Sequence, residues 1–128
     1  IIYTLDTHFD DYLTTAEGKS LPVPHCIKGT VGHKLYGGLA DALKGKLCFE
    51  KNTFPSLEMA KYLEGKDFDT IELCGLVSNI CVLSNAVMAK SACPNSEIIV
   101  ASSLTAAADE EIHQKSLDVM KGLFIKVL

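Results

Sequence analysis

A cysteine lies near the start of a helical pattern, directly after a short apolar run, in the segment 75–81. The apolar run at 70–74 predicts a buried strand, and the glycine that follows it predicts a sharp turn into a helix, capped by Ser78 or Asn79. Backbone N–H groups and the helix dipole in a first turn favour the thiolate form of a cysteine and could hold a developing oxyanion. The pattern predicts a nucleophile at Cys81, with a buried structural cysteine as the alternative.

A lysine follows another predicted strand, 46–49, at Lys51. An ammonium group at the end of a strand could stabilise a thiolate, or negative charge that develops on a substrate. The alternative is a solvated surface lysine, which describes most lysines in globular proteins.

A third group of reactive side chains follows the first apolar run of the chain. Asp6 and His8 are two residues apart in an extended segment, so their side chains point to the same side. Glu17 and His25 follow within the same polar stretch. Carboxylate and imidazole ligands suit a divalent transition metal such as zinc, iron or manganese, and open positions would remain for water or substrate. Two histidines near two acids also occur by chance, so an accidental cluster is the alternative.

Short apolar runs that alternate with helical periodicity predict an α/β fold, with a doubly wound, mostly parallel sheet and helices on both faces. Five strands are predicted, at 1–5, 46–49, 70–74, 98–101 and 123–127. Helices are predicted at 35–43 with Gly45 as its C-cap, at 56–63, after the turn at 75–81, and at 110–121, with His33 and His113 on helix surfaces. Ligands of such sheets bind beyond the carboxyl ends of the strands, which is where Asp6, Lys51 and the cysteine segment are expected.

The composition limits the possible functions. A chain of 128 residues with 48% hydrophobic and 22% charged residues predicts a single globular domain, 1–128. A net charge of −4 without a basic run argues against nucleic acid and anionic membranes as partners. The five cysteines are odd in number and irregularly spaced, which favours a reduced, cytoplasmic protein, with Cys74 and Cys93 expected in the interior.

The chain opens at once on an apolar strand, at Ile1, with no polar residue before it. Domains rarely begin in this way, so residues upstream of Ile1 are expected in the natural protein.

These pieces together resemble the isochorismatase-like cysteine hydrolases, and within them the nicotinamidases. The matching segments occur in the family's order along nearly the whole chain: Thr4-Leu5-Asp6-Thr7-His8, Glu17-Gly18, Pro24-His25-Cys26-Ile27-Lys28-Gly29-Thr30-Val31-Gly32, Lys51 with Phe54, and Gly75-Leu76-Val77-Ser78-Asn79-Ile80-Cys81-Val82. The histidine–cysteine stretch and the glycine-to-cysteine turn are specific in combination, although each is weak alone.

The resemblance implies a mechanism and a set of catalytic residues. Cys81 would attack the carboxamide carbon, release ammonia and leave a thioester that water hydrolyses to the acid. Lys51 would be the second member of the catalytic triad. The N–H groups of Val77 and Cys81 would form the oxyanion hole, and a non-proline cis peptide is implied at Leu76–Val77.

The resemblance also implies a metal site. Asp6, His8 and His25 match the metal ligands of nicotinamidases, and Glu17 matches a fourth ligand present in some members. Zinc is the leading choice, with iron or manganese as alternatives. The ion would bind the pyridine nitrogen of the substrate, and relatives are commonly homo-oligomers.

The chain departs from the family pattern in two respects. The family's third triad residue is an Asp at the end of its first strand, and no residue of this chain matches it; Asp6 is not assigned that role. The resemblance thus implies an N-terminal strand upstream of Ile1, which this chain does not contain. Many relatives also have a Trp shortly before the metal-binding histidine, where this chain has Pro22 and contains no Trp. Ring recognition is therefore expected to differ.

Three hypotheses follow. The first is a metal-dependent nicotinamidase that converts nicotinamide to nicotinate. The second is another cysteine hydrolase of the same fold, acting on a different amide, carbamoyl compound or isochorismate-like ether. The third is a catalytically inactive binding module, supported by the unmatched Asp alone.

Overall fold

The computed structural model describes residues 1–128 as two compact units, Ile1–Ser56 and Leu57–Leu128. We refer to them as the N-terminal unit and the C-terminal unit. Both units are built from parallel strands and helices, so the predicted α/β fold is confirmed. None of the helices has the length and hydropathy that crossing a bilayer requires.

The N-terminal unit contains a two-stranded parallel sheet. Its elements are, in chain order, β1 (Ile2–Asp6), α1 (Ala16–Ser20), α2 (Leu39–Ala42) and β2 (Leu47–Lys51), with short 3₁₀ turns at Tyr12–Thr14 and Val31–His33. The register of the two strands runs from Ile2 opposite Leu47 to Asp6 opposite Lys51. Because parallel strands end at the same edge of a sheet, this register places the Asp6 carboxylate and the Lys51 ammonium side by side.

The buried side chains of the N-terminal unit are mostly polar or aromatic. They are Thr7, His8, Tyr12, Lys51 and Ser56. Buried polar groups of this kind are costly unless they find partners, so they tend to mark a binding or catalytic region rather than a packing core.

The C-terminal unit contains a three-stranded parallel sheet in the order β3-β4-β5. Its elements are α3 (Leu57–Leu63), β3 (Thr70–Leu76), α4 (Leu83–Ala92), β4 (Glu97–Ala106), α5 (Glu110–Gly122) and β5 (Lys126–Val127), with a π-helical turn at Ser78–Val82 between β3 and α4. The central strand β4 supplies the buried Ile98, Ile99 and Val100. These β-branched side chains pack well on a sheet surface. Helix residues cover them, and Ala86, Ala89 and Met120 have no exposed surface.

The last strand, Lys126–Val127, is shorter than the predicted 123–127, because the C-cap of α5 and the turn that follows it occupy the first part of that range. Leu123 caps the helix, and Phe124 has a left-handed φ of 57°. The N–H of Ile125 donates to the carbonyl of Met120 at 3.0 Å, and the N–H of Phe124 donates to that of Lys121 at 3.0 Å. This pair of hydrogen bonds is a Schellman motif, which ends the helix with a hydrophobic residue where glycine is more common.

The helix predicted at 35–43 is also shorter, since only Leu39–Ala42 is helical. Gly37 has a positive φ of 56°, and Gly38 is the N-cap, so the two glycines stop the helix from extending backwards. Gly45 is not the C-cap, which is Leu43, although it has a positive φ of 74° in the turn that follows.

The two cysteines that were expected in the interior differ in position. Cys93 is buried, and its thiol donates to the carbonyl of Leu63 at 3.3 Å. Cys74 is exposed, so that prediction was wrong. It lies on β3, an edge strand of the three-stranded sheet, with exposed residues at every second position. None of the five cysteines forms a disulfide.

Two adjacent residues of α5 test this packing. Met120 is fully buried and Val119 is 52% exposed. We expect Met120→Ala to lower the free energy of unfolding by about 2–5 kcal/mol, because it leaves a cavity beside β4. Val119→Ala should change it by less than about 0.5 kcal/mol. Urea unfolding followed by circular dichroism measures both, and equal effects would contradict the assigned core.

Candidate functional site

All four residues predicted as metal ligands converge in the N-terminal unit. The Nε2 atom of His8 lies 3.5 Å from Oδ2 of Asp6 and 3.5 Å from Oε1 of Glu17. The Nε2 atom of His25 lies 3.5 Å from the same Asp6 oxygen and 3.7 Å from the same Glu17 oxygen. We call these four residues the ligand cluster. Their side chains point their donor atoms at one common space.

The spacing in the ligand cluster fits a metal ion better than it fits direct hydrogen bonds. Donors about 2.0–2.1 Å from a tetrahedral zinc ion stand about 3.4 Å from one another. The observed separations of 3.5–3.7 Å are close to this value. His8 Nε2 and Glu17 Oε2 are buried and have no hydrogen-bond partner. Buried polar atoms are rarely left without partners, so the donor set fits a divalent cation.

The backbone around β1 places His8 and His25 next to each other. His8 continues β1 by one further parallel bridge, to Ile27. Its N–H donates to the carbonyl of Cys26 at 3.0 Å, and its carbonyl accepts from the N–H of Lys28 at 2.8 Å. His25 therefore lies only one residue before a segment that is hydrogen-bonded to the His8 backbone.

The ring of His25 is oriented by its second nitrogen. Nδ1 lies 2.8 Å from the carbonyl oxygen of Val23, and a carbonyl accepts, so Nδ1 carries the proton. Nε2 of a neutral His25 then has a lone pair directed at the ligand cluster. A backbone carbonyl that fixes the tautomer in this way is typical of metal-binding histidines.

Tyr12 packs against both histidine rings of the ligand cluster. Its ring centroid is 4.7 Å from that of His8 and 5.1 Å from that of His25, both edge to face. Its hydroxyl donates to the carbonyl of Leu21 at 2.9 Å. Burial raises the pKa of the Tyr12 hydroxyl, and the carboxylates of Glu17 and Asp6 raise it further. The part of this shift that the two carboxylates cause reflects a negative potential, which also favours a cation.

Gly18 explains how Glu17 reaches the ligand cluster. A Cβ atom added at Gly18 would lie 2.0 Å from the backbone oxygen of Tyr12. Only glycine allows α1 to approach the Tyr12 backbone this closely. The Thr15 hydroxyl caps α1 by accepting from the N–H of Gly18 at 3.0 Å, so Glu17 lies in a fixed first turn.

Lys51 is buried and is paired with the ligand cluster. Its Nζ atom lies 3.3 Å from Oδ1 of Asp6 and donates to the carbonyl of Thr53 at 3.1 Å. Only 7% of the residue is exposed, so the alternative of a solvated surface lysine is wrong. Asp6 thus directs one carboxylate oxygen to the two histidines and the other to Lys51.

His33 was expected on a helix surface, and the structure corrects this. It lies in a 3₁₀ turn, and its Nε2 atom is 2.8 Å from the hydroxyl of Thr7. That hydroxyl donates to the carbonyl of Leu5 at 3.1 Å, so it accepts from His33. Thr7 is buried, and in the sequence it lies between Asp6 and His8. Sequence reasoning missed this contact because no local spacing links position 33 to position 7.

The cysteine turn, residues 77–82, lies in the C-terminal unit and follows β3. Gly75 has a φ of 113°, and the Leu76–Val77 peptide is cis. The carbonyl of Val77 accepts from the N–H of Ile80 at 3.1 Å and from that of Val82 at 3.0 Å. Cys81 is half-buried within this π-helical turn. The predicted helix therefore begins with a wider turn than an α-helix.

Neither of the predicted caps serves the cysteine turn. Its N-cap is Val77, and no side chain caps it. The hydroxyl of Ser78 instead lies 2.9 Å from Nδ1 of His113, on α5. His113 was expected on a helix surface and is half-buried, so that prediction was wrong as well. The two residues are 35 positions apart, and no sequence pattern relates them.

The predicted site residues thus form two groups, each within one unit. Asp6, His8, Glu17, His25 and Lys51 come together in the N-terminal unit, and Val77 and Cys81 in the C-terminal unit.

A family model described as an isochorismatase domain matches residues 1–128. The chain belongs to the isochorismatase family. This confirms the resemblance inferred from the sequence motifs. A search of curated proteins finds no match.

Solved structures described as nicotinamidases or pyrazinamidases resemble this chain over nearly all of its length. A pyrazinamidase/nicotinamidase from Streptococcus mutans is 28% identical with a TM-score of 0.85, covering 100% of this chain and 75% of its own. A nicotinamidase/pyrazinamidase from Bacillus subtilis is 26% identical with a TM-score of 0.83, covering 98% and 73%. A pyrazinamidase of Pyrococcus horikoshii in complex with zinc shares the fold, at 21% identity and a TM-score of 0.79, covering 100% and 74%. Family and neighbours together support an amide hydrolase.

Removal of one charge from the ligand cluster tests its role in metal binding. We expect Glu17→Gln to weaken zinc binding by at least about tenfold, because it replaces a charged donor with a neutral amide. Asp10→Asn is the matched control, since Asp10 is an exposed acid in the same connection. Competition with a chromophoric chelator measures both affinities. Unchanged zinc affinity in Glu17→Gln would contradict the assignment.

Proposed function

We propose that this chain is a metal-dependent nicotinamidase, which hydrolyses nicotinamide to nicotinate and ammonia. The observation that supports the proposal most is the ligand cluster, in which two histidines and two carboxylates direct donor atoms at one space and His8 Nε2 has no other partner. The solved structures described as nicotinamidases, at 26–28% identity, support the substrate class.

In this proposal Cys81 is the nucleophile. Its thiolate sulfur forms a bond to the carboxamide carbon, and the oxyanion that develops accepts from the N–H groups of Val77 and Cys81. When the carbon–nitrogen bond breaks, the nitrogen takes up the proton that the Cys81 thiol gave up and leaves as ammonia. Water then attacks the thioester, and its products are the carboxylic acid and the free thiol.

Lys51 is assigned as the group that stabilises negative charge during the reaction. Its burial and its ion pair with Asp6 keep the ammonium in a fixed position, which suits a group that stabilises negative charge. Asp6 is not assigned as the general base, because its two carboxylate oxygens are engaged by the histidine donors and by Lys51. The family's general-base Asp has no counterpart among residues 1–128.

Asp6, His8, Glu17 and His25 are proposed to hold a divalent metal ion, with zinc as the leading choice and iron or manganese as alternatives. The bound ion would supply a Lewis acid that coordinates the pyridine nitrogen and orients the ring. We further propose a cytoplasmic enzyme of NAD salvage with a small-molecule substrate, assembled as a homo-oligomer.

A second candidate is a related cysteine hydrolase that acts on another amide or a carbamoyl compound. The observation that favours it is the absence of Trp from the chain, since Pro22 stands where many relatives have an aromatic partner for the substrate ring. The two candidates share the Cys81 chemistry and differ only in what binds beside the ligand cluster.

Ammonia release from nicotinamide, measured with the natural protein, tests the proposal. We expect zinc-loaded enzyme to release ammonia, and Cys81→Ala to lose activity by on the order of a thousandfold or more, because the covalent route is removed. Removal of the metal with a chelator should also abolish turnover, and zinc should restore it.

The matched control is Cys74→Ala, which removes an exposed cysteine and should retain activity. Activity on a different amide without activity on nicotinamide would favour the second candidate. Full activity in Cys81→Ala would contradict the covalent mechanism for both.

A further inference from the structure

We propose that His113 is a positioning residue that holds the cysteine turn in place through Ser78, an inference that rests on the proposed role of Cys81. The Nδ1 atom of His113 lies 2.9 Å from the hydroxyl oxygen of Ser78. Ser78 directly follows the cis Leu76–Val77 peptide and lies three residues before Cys81 in the chain. The contact therefore reaches the start of the cysteine turn from a different helix.

Burial makes the His113–Ser78 hydrogen bond important to the turn. Ser78 has no exposed surface, so water does not replace a lost partner of its hydroxyl. A buried hydroxyl without a partner is destabilising, so the turn would shift to recover a hydrogen bond. The position of the turn thus depends on a polar atom of residue 113 that can hydrogen-bond to Ser78.

Several further hydrogen bonds of the cysteine turn are local. Val77 accepts from two N–H groups within the turn, and the side-chain amide of Asn85 donates to the carbonyl of Cys81 at 2.8 Å. The Ser84 hydroxyl donates to the carbonyl of Ile80 at 2.5 Å. These bonds hold the shape of the turn. The His113 contact differs because it joins the turn to α5, and so fixes where the turn lies within the C-terminal unit.

The helix that carries His113 is capped at its N-terminus and packed against the core. Asp109 caps α5 by accepting from the N–H of Ile112 at 2.9 Å. The N–H of His113 donates to the carbonyl of Asp109 at 3.1 Å, and its carbonyl accepts from the Ser116 hydroxyl at 2.7 Å. One turn further along α5, Leu117 is buried in the core. The imidazole thus projects from a capped and packed helix.

A shift of the turn should affect the chemical step more than substrate binding. A displacement of about 1 Å between reacting atoms costs on the order of 100-fold in rate. In the proposed function, ring binding depends on the ligand cluster of the N-terminal unit, which His113 does not belong to. Loss of the His113 contact should therefore lower kcat by about 10- to 100-fold and change KM by less than about threefold.

The variants His113→Ala and His113→Asn separate positioning from a general structural effect. Asn places a polar atom close to the position of Nδ1, so His113→Asn should restore most of kcat, whereas His113→Ala should not. Gln114→Ala is the control, since Gln114 is an exposed neighbour on the same helix and should leave kcat unchanged. Ser78→Ala should resemble His113→Ala, and the double variant should lose no more than either single variant, because both remove one contact.

The rate at which iodoacetamide alkylates Cys81, followed by peptide mass spectrometry, is measured alongside turnover and the urea midpoint. It needs no substrate, so it reports on the turn even if nicotinamide is not hydrolysed. We expect a changed Cys81 alkylation rate in His113→Ala and a rate near that of the unmodified protein in His113→Asn.

The outcomes distinguish this inference from the proposed function. If the unmodified protein shows no Cys81-dependent amide hydrolysis, the proposed function fails, and the alkylation rates alone decide the role of His113. If Cys81-dependent turnover is present but His113→Ala keeps both kcat and the alkylation rate, the inference about His113 is overturned. Losses in both His113 variants that merely follow the urea midpoint would overturn it as well. Should His113→Ala not fold, Ser78→Ala and His113→Asn provide the same comparison.

Discussion

The parallel register of β1 and β2 determines where the charged groups of the N-terminal unit lie. It sets Asp6 opposite Lys51 at the carboxyl ends of the two strands, and the chain continues from Asp6 into His8. One carboxylate therefore faces both an ammonium group and two imidazoles. A shift of one residue in this register would turn Asp6 to the other face of the sheet and separate the pair.

This arrangement also explains why the interior of the N-terminal unit is so polar. Two carboxylates close together repel each other, and each needs compensating positive charge. Lys51 supplies part of it, and the donor set of the ligand cluster suits a cation that would supply more. Tyr12 and Gly18 stabilise the ligand cluster through packing. The Tyr12 ring packs against the two imidazole rings, and Gly18 lets α1 approach the Tyr12 backbone closely. We infer that the unit is organised around its charged groups rather than around an apolar core.

Much of the candidate site could be predicted from the sequence, because its parts follow strand ends. Asp6 and His8 share one side of an extended segment, and Lys51 ends a recognisable strand. The contacts of His33 and His113 could not be predicted, since each joins positions that are far apart in the chain by a single hydrogen bond. The exposure of Cys74 depends on its place at the edge of a sheet, which local apolarity does not reveal. The late start of the last strand depends on how α5 terminates at Phe124.

In the proposed mechanism Cys81 forms a covalent intermediate with its substrate, and trapping this intermediate is the decisive experiment. The zinc-loaded natural protein would be mixed with nicotinamide, quenched in acid during turnover, and digested for mass spectrometry. We expect a peptide in which Cys81 carries a nicotinoyl group as a thioester, and which loses that group on treatment with hydroxylamine. An acyl group on another residue, or turnover by a protein in which Cys81 is never acylated, would contradict it.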